Sequence, residues 1–236
     1  MKFSPPLIQA RLIKRYKRFL ADVVFSDGSE SVAHCANTGS MLGLREPDST
    51  IYLAPNTNPK AKLDYRWELI DVGSSLVGIN TGRANAIVEE AINAGQVAAL
   101  KGYHTLKREV KYGQNSRIDI LLSDPEDEMS PSKCYVEVKS VTLADGTTAL
   151  FPDSVTTRGA KHLNELIAMK KAGYRSVMLY LIQRSDCDNF RPAGKIDPQY
   201  EKELKKAYAA GVEILAYSCH VSREEISLQK QVPIDL

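Results

Sequence analysis

The sequence has few of the features that mark membrane, secreted and disordered proteins. No apolar stretch approaches the ~20 residues needed to cross a bilayer, and the segment Met1–Pro6 lacks the apolar region of a signal peptide. The 236 residues are 43% hydrophobic and 25% charged, which is the composition of a globular protein with a buried core. These absences predict a cytoplasmic protein with no membrane partner.

Cysteine is scarce, and neither sign of charge is in large excess. The four cysteines are widely spaced and include no CxxC pair, which argues against a zinc ribbon and against disulfides. The net charge of +2 excludes a histone-like polycation. A local basic patch stays open, because nucleic-acid binding follows the distribution of charge rather than its total.

The first 80 residues predict a small β unit. Aromatic and β-branched residues favour strands, and the pair Asp27-Gly28 between two apolar stretches is a strong hairpin signal. Strands are predicted at residues 11–25, 31–35, 50–53, 65–72 and 75–80. Five short strands in so few residues indicate a small barrel, for which an OB-type barrel is one candidate.

A basic stretch opens this unit. Five positive side chains occur within eight residues with no acid among them, interleaved with Tyr16 and Phe19; they are Arg11, Lys14, Arg15, Lys17 and Arg18. Positive charges neutralise phosphates and aromatic rings stack on bases, so the stretch predicts nucleic-acid binding, centred on Arg15, Lys17 and Arg18. The alternative interpretation is a solvated strand whose aromatics belong to the core.

The second part of the chain alternates between helical and strand patterns. Helices are predicted at residues 85–95, 157–172 and 198–210, and strands at 105–112, 117–122, 134–140, 176–182 and 212–217. A turn is predicted at 113–116 and an acidic loop at 123–133. This order predicts a mixed sheet flanked by helices. We therefore divide the chain into domains at residues 1–82 and 83–236.

Three charged residues lie inside predicted strands of the second domain. Asp119 is flanked by isoleucines, and Glu137 and Lys139 share one face of a strand, roughly 6.6 Å apart at ~3.3 Å per residue. If the two strands pair, Asp119 and Glu137 can share one Mg²⁺ or Mn²⁺. Lys139 would then orient a water or stabilise charge on a phosphoryl group. The alternative is an ion pair at strand ends.

Other charged residues are candidates to support this site. Glu89, Glu90 or Glu109 can supply a further metal ligand, although each is also an ordinary surface charge. Arg158 and His162 share a helix face and can touch phosphate. A basic group next to Asp119 in sequence is predicted to bind DNA as well; its members are Lys107, Arg108, Lys111 and Arg117.

Several motifs resemble the sugar fermentation stimulation protein A family. They extend over essentially the whole chain and include Phe3-Ser-Pro-Pro-Leu7, Asn37-Thr-Gly39, Ser116-Arg-Ile-Asp119, Tyr135-Val-Glu-Val-Lys139 and Phe151-Pro-Asp-Ser-Val155. The resemblance implies an N-terminal OB-fold and a C-terminal α/β domain similar to PD-(D/E)xK nucleases. Under that similarity Asp119, Glu137 and Lys139 correspond to the nuclease motif.

The resemblance also implies DNA binding with little sequence preference and a role in regulating sugar metabolism, notably that of maltose. Three hypotheses follow: a DNA-binding protein with largely sequence-independent affinity, a metal-dependent nuclease that acts on a particular DNA structure, or a regulator that acts through protein partners. No helix-turn-helix with a plausible recognition helix is present, which argues against the reading of a specific operator. Exposed edge strands permit a homodimer.

Overall fold

The computed structural model describes residues 1–113, 116–124 and 132–236. The centre of the predicted turn at 113–116 and most of the predicted acidic loop at 123–133 lie outside the described residues. In the first domain the strands are β1 (Ile8–Tyr16), β2 (Leu20–Val24), β3 (Glu30–Cys35), β4 (Thr50–Pro55), β5 (Tyr65–Asp71) and β6 (Leu76–Gly78).

The first five strands form a closed barrel. They lie in the order β3-β2-β1-β4-β5, and a parallel pairing of β3 with β5 closes the ring. The predicted barrel and the Asp27-Gly28 hairpin are confirmed, with Gly28 at φ 85° between β2 and β3. The predicted strand at 75–80 lies outside the ring, where β6 pairs with one side of β5.

The basic stretch forms a hairpin rather than one strand. Lys17 and Arg18 both have positive φ angles, 49° and 64°, and lie with Phe19 in a three-residue loop. The turn reverses the chain between β1 and β2, which pair up to Tyr16 and Leu20. Residues 11–25 were predicted as one strand because the pattern contains no Gly, Asn or Asp at the turn itself.

The second domain begins with a helix and alternates as predicted. Its helices are α1 (Ala84–Asn93), α2 (Thr157–Lys171) and α3 (Pro198–Ala209). Its strands are β7 (Thr105–Tyr112), β8 (Ser116–Ser123), β9 (Cys134–Val141), β10 (Leu143–Asp145), β11 (Thr148–Phe151), β12 (Arg175–Ile182), β13 (Asn189–Pro192), β14 (Glu213–Val221) and β15 (Ile226–Gln231).

The main sheet of this domain is mixed and has the order β15-β14-β12-β9-β8-β7. Strands β9, β12 and β14 are parallel, and β7, β8 and β15 run antiparallel to their neighbours. Helix α1 packs on one face, and α2 and α3 pack on the other. The predicted mixed-sheet α/β domain is confirmed; the small sheet β10-β11-β13 and strand β15 were not predicted. A homodimer through an edge strand stays a prediction.

A buried carboxylate joins the two domains. Glu68 on β5 is 1% exposed and accepts hydrogen bonds from Arg66, Asn80 and Arg83. An isolated charge would be costly at such a buried position, whereas a paired one is tolerated. The predicted boundary at 82–83 falls within a short 3-10 helix, Thr81–Arg83, and the partition itself stays a prediction.

Across the described ranges, no helix has both the length and the apolar character required to cross a bilayer.

Candidate functional site

The central feature of the second domain is a point where two sheet strands separate. Strands β8 and β9 pair from Leu122 with Cys134 to Ile120 with Val136, and the pairing ends there. Asp119 and Glu137 are the next residues on each strand. Glu109 lies opposite Asp119 on β7 and has a φ of 54°, which is strained for a residue with a side chain. The sheet therefore opens at the predicted carboxylates.

Asp119 occupies the gap between the separating strands. Its Oδ2 accepts a hydrogen bond of 2.8 Å from the Val138 amide, and its Oδ1 accepts one of 2.9 Å from Asn85 Nδ2 on α1. The carboxylate thus replaces the ladder partner that the Val138 amide has lost. Burial raises the pKa of Asp119, and the nearby charge of Glu137 raises it further. A half-buried and a buried carboxylate that repel each other are a physical setting for a cation.

Glu137 is almost fully enclosed, with 1% of its surface exposed. Its Oε1 accepts hydrogen bonds from Lys139 Nζ at 2.6 Å and from His162 Nδ1 on α2. Burial opposes ionisation, but the His162 and Lys139 contacts outweigh it and hold the pKa of Glu137 below its usual range. Its Oε2 is buried, and no described residue forms a hydrogen bond with it. An ionised carboxylate with one unpartnered buried oxygen is a ligand available to a cation.

Lys139 and Arg158 extend the cluster on either side of His162. Lys139 Nζ lies 3.2 Å from His162 Nδ1, and Arg158 Nε lies 3.3 Å from His162 Nε2. The predicted i,i+4 pair on α2 therefore meets the predicted strand residues in one place. Arg158 is exposed, whereas His162 is buried. The arrangement leaves Arg158 free to contact an anion from solvent and fixes the orientation of Glu137 through His162.

Each of the three candidates for a further metal ligand either binds another partner or is exposed to solvent. Glu89 accepts a hydrogen bond from Arg108 at 3.3 Å, Glu90 pairs with the Met1 ammonium at 2.9 Å, and Glu109 is solvent-exposed. Within the described ranges, no group of three or more His, Cys, Asp or Glu side chains is placed to hold a metal ion. Asp119 and Glu137 thus form a two-carboxylate set, which fits a hard divalent ion that keeps several waters.

Sequence reasoning missed Asn85 and a polar group beside Glu137. Tyr112 is buried and its hydroxyl has no hydrogen-bond partner among the residues that the structure describes, while Ser116 Oγ donates to Glu165 Oε1 at 2.6 Å. Burial raises the pKa of Tyr112, and the charges of Glu137 and Glu165 raise it further. Ser116 belongs to the Ser116-Arg-Ile-Asp119 motif, but no spacing rule links it, Asn85 or Tyr112 to the carboxylates, so only the fold brings them there.

The predicted basic residues near Asp119 all point into solvent. Lys107, Arg108 and Lys111 on β7 and Arg117 on β8 are exposed, and Lys111 lies directly opposite Arg117 in the strand register. Arg108 forms an ion pair with Glu89. The edge of the sheet next to Asp119 is therefore positively charged.

The barrel residues predicted to bind DNA have two different roles. Arg15 Nη2 donates hydrogen bonds to the backbone carbonyls of Arg18, Asn37 and Gly39 at 2.8–3.1 Å, so this side chain fixes the hairpin and a neighbouring loop. Lys17 and Arg18 are exposed at the tip of the hairpin, followed by Phe19, which is 49% exposed. We call residues 17–19 the hairpin tip.

Hydrogen bonds connect the barrel loop to the start of α2. The loop held by Arg15 continues to Met41, whose amide donates to Asp153 Oδ2 at 3.0 Å, and Ser40 Oγ donates to the Asp153 carbonyl. Asp153 precedes α2, which carries Arg158 and His162. The hairpin tip and the carboxylates are therefore parts of one continuous, hydrogen-bonded framework.

Comparisons with known proteins cover both domains. Residues 13–79 match the SfsA N-terminal OB domain, and residues 82–225 match the sugar fermentation stimulation protein RE domain. The chain is similar to sugar fermentation stimulation protein homologs of Paramagnetospirillum magneticum, at 53% identity over 100% of this chain and 98% of that protein, and of Maricaulis maris, at 50% identity over 100% and 99%.

A solved structure has the same overall architecture. It is that of Pyrococcus furiosus SfsA in complex with Ca²⁺, which superimposes with a TM-score of 0.89 at 28% identity and covers 100% of this chain and 98% of that one.

Proposed function

The chain belongs to the sugar fermentation stimulation protein family, and from this premise we propose that it is a DNA-binding protein with a divalent-cation-dependent phosphodiesterase site. The observation that carries the proposal is the buried Glu137 carboxylate. It lies beside Asp119 at the point where β8 and β9 separate, and its Oε2 is unpartnered among the described residues. The Ca²⁺ complex of the Pyrococcus furiosus relative supports a divalent ion in this fold.

Asp119 and Glu137 are the residues that would hold Mg²⁺ or Mn²⁺. Such an ion polarises a phosphate and lowers the pKa of a bound water. Asp119 keeps its geometry through Val138 and Asn85 while its second lone pairs stay available, and His162 holds Glu137 in one rotamer. Hydrogen-bonded ligands of this kind bind with less loss of entropy, because their orientation is set before the ion arrives.

Lys139 supplies the positive charge that acts on the reacting phosphate. Its Nζ donates to Glu137 Oε1, which places the ammonium next to the carboxylates with 15% of its side chain exposed. A cation held in a partly dry site stabilises charge that develops on the phosphoryl oxygens more strongly than one in water. Arg158 adds a solvent-facing guanidinium that binds an adjacent phosphate.

DNA binding is proposed to use the exposed cations of both domains. Lys17 and Arg18 at the hairpin tip, and Lys107, Lys111 and Arg117 near Asp119, are all exposed, so phosphates can reach them. Contacts to phosphate carry little sequence information, which supports low sequence specificity. Phe19 offers a ring on which an unpaired base can stack. Regulation of maltose metabolism stays a prediction implied by the family resemblance.

The test is cleavage of labelled single-stranded, duplex, flap and four-way-junction DNA with Mg²⁺ or Mn²⁺. We expect the native chain to cut at least one substrate and Glu137→Gln and Lys139→Ala to cut none while still binding DNA. Glu224→Gln, an exposed acid on another surface, is the matched control and should cut normally.

Two outcomes would contradict parts of the proposal. Binding without cleavage on every substrate would leave a DNA-holding protein and refute the phosphodiesterase assignment. Cleavage that survives in Glu137→Gln would place the chemistry elsewhere in the molecule.

A further inference from the structure

A small cavity lies between the two domains, next to the candidate site. It has a volume of about 140 Å³ and is lined by the barrel loop 37–39, by residues 140–142 at the end of β9, and by Leu150, Phe151 and Asp153. Ser140 directly follows Lys139, and it lies about 10 Å along β9 from Glu137 at ~3.3 Å per residue. A group in this cavity would therefore belong to a nucleotide close to a phosphate held at the carboxylates.

We propose that this cavity receives one unpaired pyrimidine base of the DNA. The inference rests on the proposed function. It identifies the cavity as a base-binding pocket whose walls come from both domains. The pocket would select DNA with an unpaired nucleotide beside the bound phosphate, because a paired base cannot enter it without leaving the duplex.

The size of the cavity favours a single six-membered ring. Cavities of ~150 Å³ accommodate a benzene-sized ligand, so about 140 Å³ matches a pyrimidine and is small for the two fused rings of a purine. Phe151 is one of the lining residues, and its ring position is set by contacts with Tyr180 and Tyr200 at centroid distances of 5.6 and 5.1 Å. Stacking on such a ring is tolerant of base identity.

The polar lining favours cytosine over thymine. The Asp153 carboxylate lines the cavity and is held in place by the Met41 amide and by the Ser40 contact to its carbonyl. A carboxylate accepts hydrogen bonds from the exocyclic amine of cytosine, whereas thymine presents a carbonyl oxygen at the same position. Hydroxyl groups of Thr38, Thr81 and Thr142 complete the polar lining.

Specific contacts of the barrel loop form this cavity at the junction between the two domains. A Cβ atom at Gly39 would collide with the Asp153 carboxylate, so only glycine lets the barrel loop approach this closely. The loop is further held by the Arg15 hydrogen bonds to the Asn37 and Gly39 carbonyls. This accounts for the Asn37-Thr-Gly39 motif, which the carboxylate site alone does not explain.

The test measures binding of duplexes that carry one unpaired position, in Ca²⁺ rather than Mg²⁺ or Mn²⁺, so that a cation can hold the phosphate at the carboxylates while cleavage is suppressed. The unpaired position is cytosine, thymine, adenine or an abasic sugar, and the Kd is measured by fluorescence anisotropy. We expect cytosine to bind about tenfold more tightly than the abasic duplex, which corresponds to about 1.4 kcal/mol and lies within the range for one stacked base. Thymine should lie between them, and adenine should match the abasic duplex.

Two variants test the pocket itself. Thr38→Phe places a ring at the mouth from an exposed position and should reduce cytosine binding to the abasic level. Asp153→Asn keeps an acceptor for the Met41 amide but adds a donor, so the preference should shift from cytosine to thymine. A gained preference cannot arise from misfolding. Asp145→Asn, an exposed residue outside the loop contacts, is the control and should behave as the native chain.

Equal affinity of the native chain for all four duplexes would overturn the pocket and leave the proposed function intact. A cytosine preference that Thr38→Phe leaves unchanged would also overturn it, because the base would then bind elsewhere. Failure of every duplex to bind would refute the proposed function and this inference together.

Discussion

The barrel hairpin offers a test that separates DNA-binding charges from structural ones. Lys17 and Arg18 are exposed at the tip, whereas Arg15 donates to three backbone carbonyls. We expect Lys17→Ala/Arg18→Ala to weaken DNA binding without changing stability. Arg15→Ala should instead destabilise the fold, because Asn37 and Gly39 lose their donor.

The size of each effect follows from the contacts. Each phosphate contact contributes about 0.9 to the slope of log K against log salt, so removing two charges should reduce the slope by about 1.8. When salt rises from 50 to 200 mM, the fold-decrease in the affinity of the double variant should then be about 12 times smaller than that of the native chain. Hydrogen bonds from a charged group contribute about 2 kcal/mol, so Arg15→Ala should lower the melting temperature by about 4–8 °C.

The assay is anisotropy on two duplexes of unrelated sequence across this salt range, with thermal unfolding of each variant alongside. Both duplexes should show the same change in slope, because phosphate contacts do not read bases. An unchanged slope in Lys17→Ala/Arg18→Ala would refute the reasoning and make the hairpin tip an ordinary solvated turn. Full stability of Arg15→Ala would refute its structural role.

Three further predictions concern buried charges. Glu68→Ala should destabilise the chain by about 3 kcal/mol in urea unfolding, because the guanidinium groups that Glu68 neutralises lose their counter-charge. Unchanged stability would contradict this. The hydrogen bond from Arg184 lowers the pKa of Asp186 below its unfolded value, so this pair adds stability that is present above about pH 4 and lost as the pH falls further. The stability gap between native and Asp186→Asn should therefore be larger at pH 7 than at pH 3, and an equal gap would exclude the linkage. His162→Ala should reduce Mn²⁺ affinity about tenfold in calorimetry without DNA, because Glu137 loses its orienting partner; full affinity would show that this contact does not matter.

Much of the architecture was predictable because it depends on local patterns. Alternating and continuous apolar runs predicted five of the six strands of the main sheet, all but β15, and Gly95, Gly173 and Gly211 mark the ends of the three helices at positive φ. The hairpin at Lys17 and Arg18 was missed, since neither residue type favours a positive φ angle. Its positive φ angles are imposed by the pairing of β1 with β2 rather than by residue preference.

The site was predictable only in part, for a different physical reason. Asp119, Glu137 and Lys139 stand out because charged residues inside apolar strands are costly without a partner. Their partners come from elements distant in sequence: Asn85 lies on α1, and His162 lies on α2. His162 could be nominated through its helical spacing from Arg158, but no spacing rule relates Asn85 to a strand 34 residues later.

Under the proposed function, the junction between the domains adds selection by DNA shape to the contacts with phosphate. Glu68 ties the barrel to Arg83 just before α1, and the Asp153 contacts tie the barrel loop to the approach of α2. With both ends held, the hairpin tip and the carboxylates keep a fixed separation, so DNA that binds one must present a phosphate to the other. Selectivity then depends on the shape the DNA can adopt between two fixed points. Loosening the junction should therefore broaden the range of substrates while leaving the affinity of each domain for phosphate unchanged.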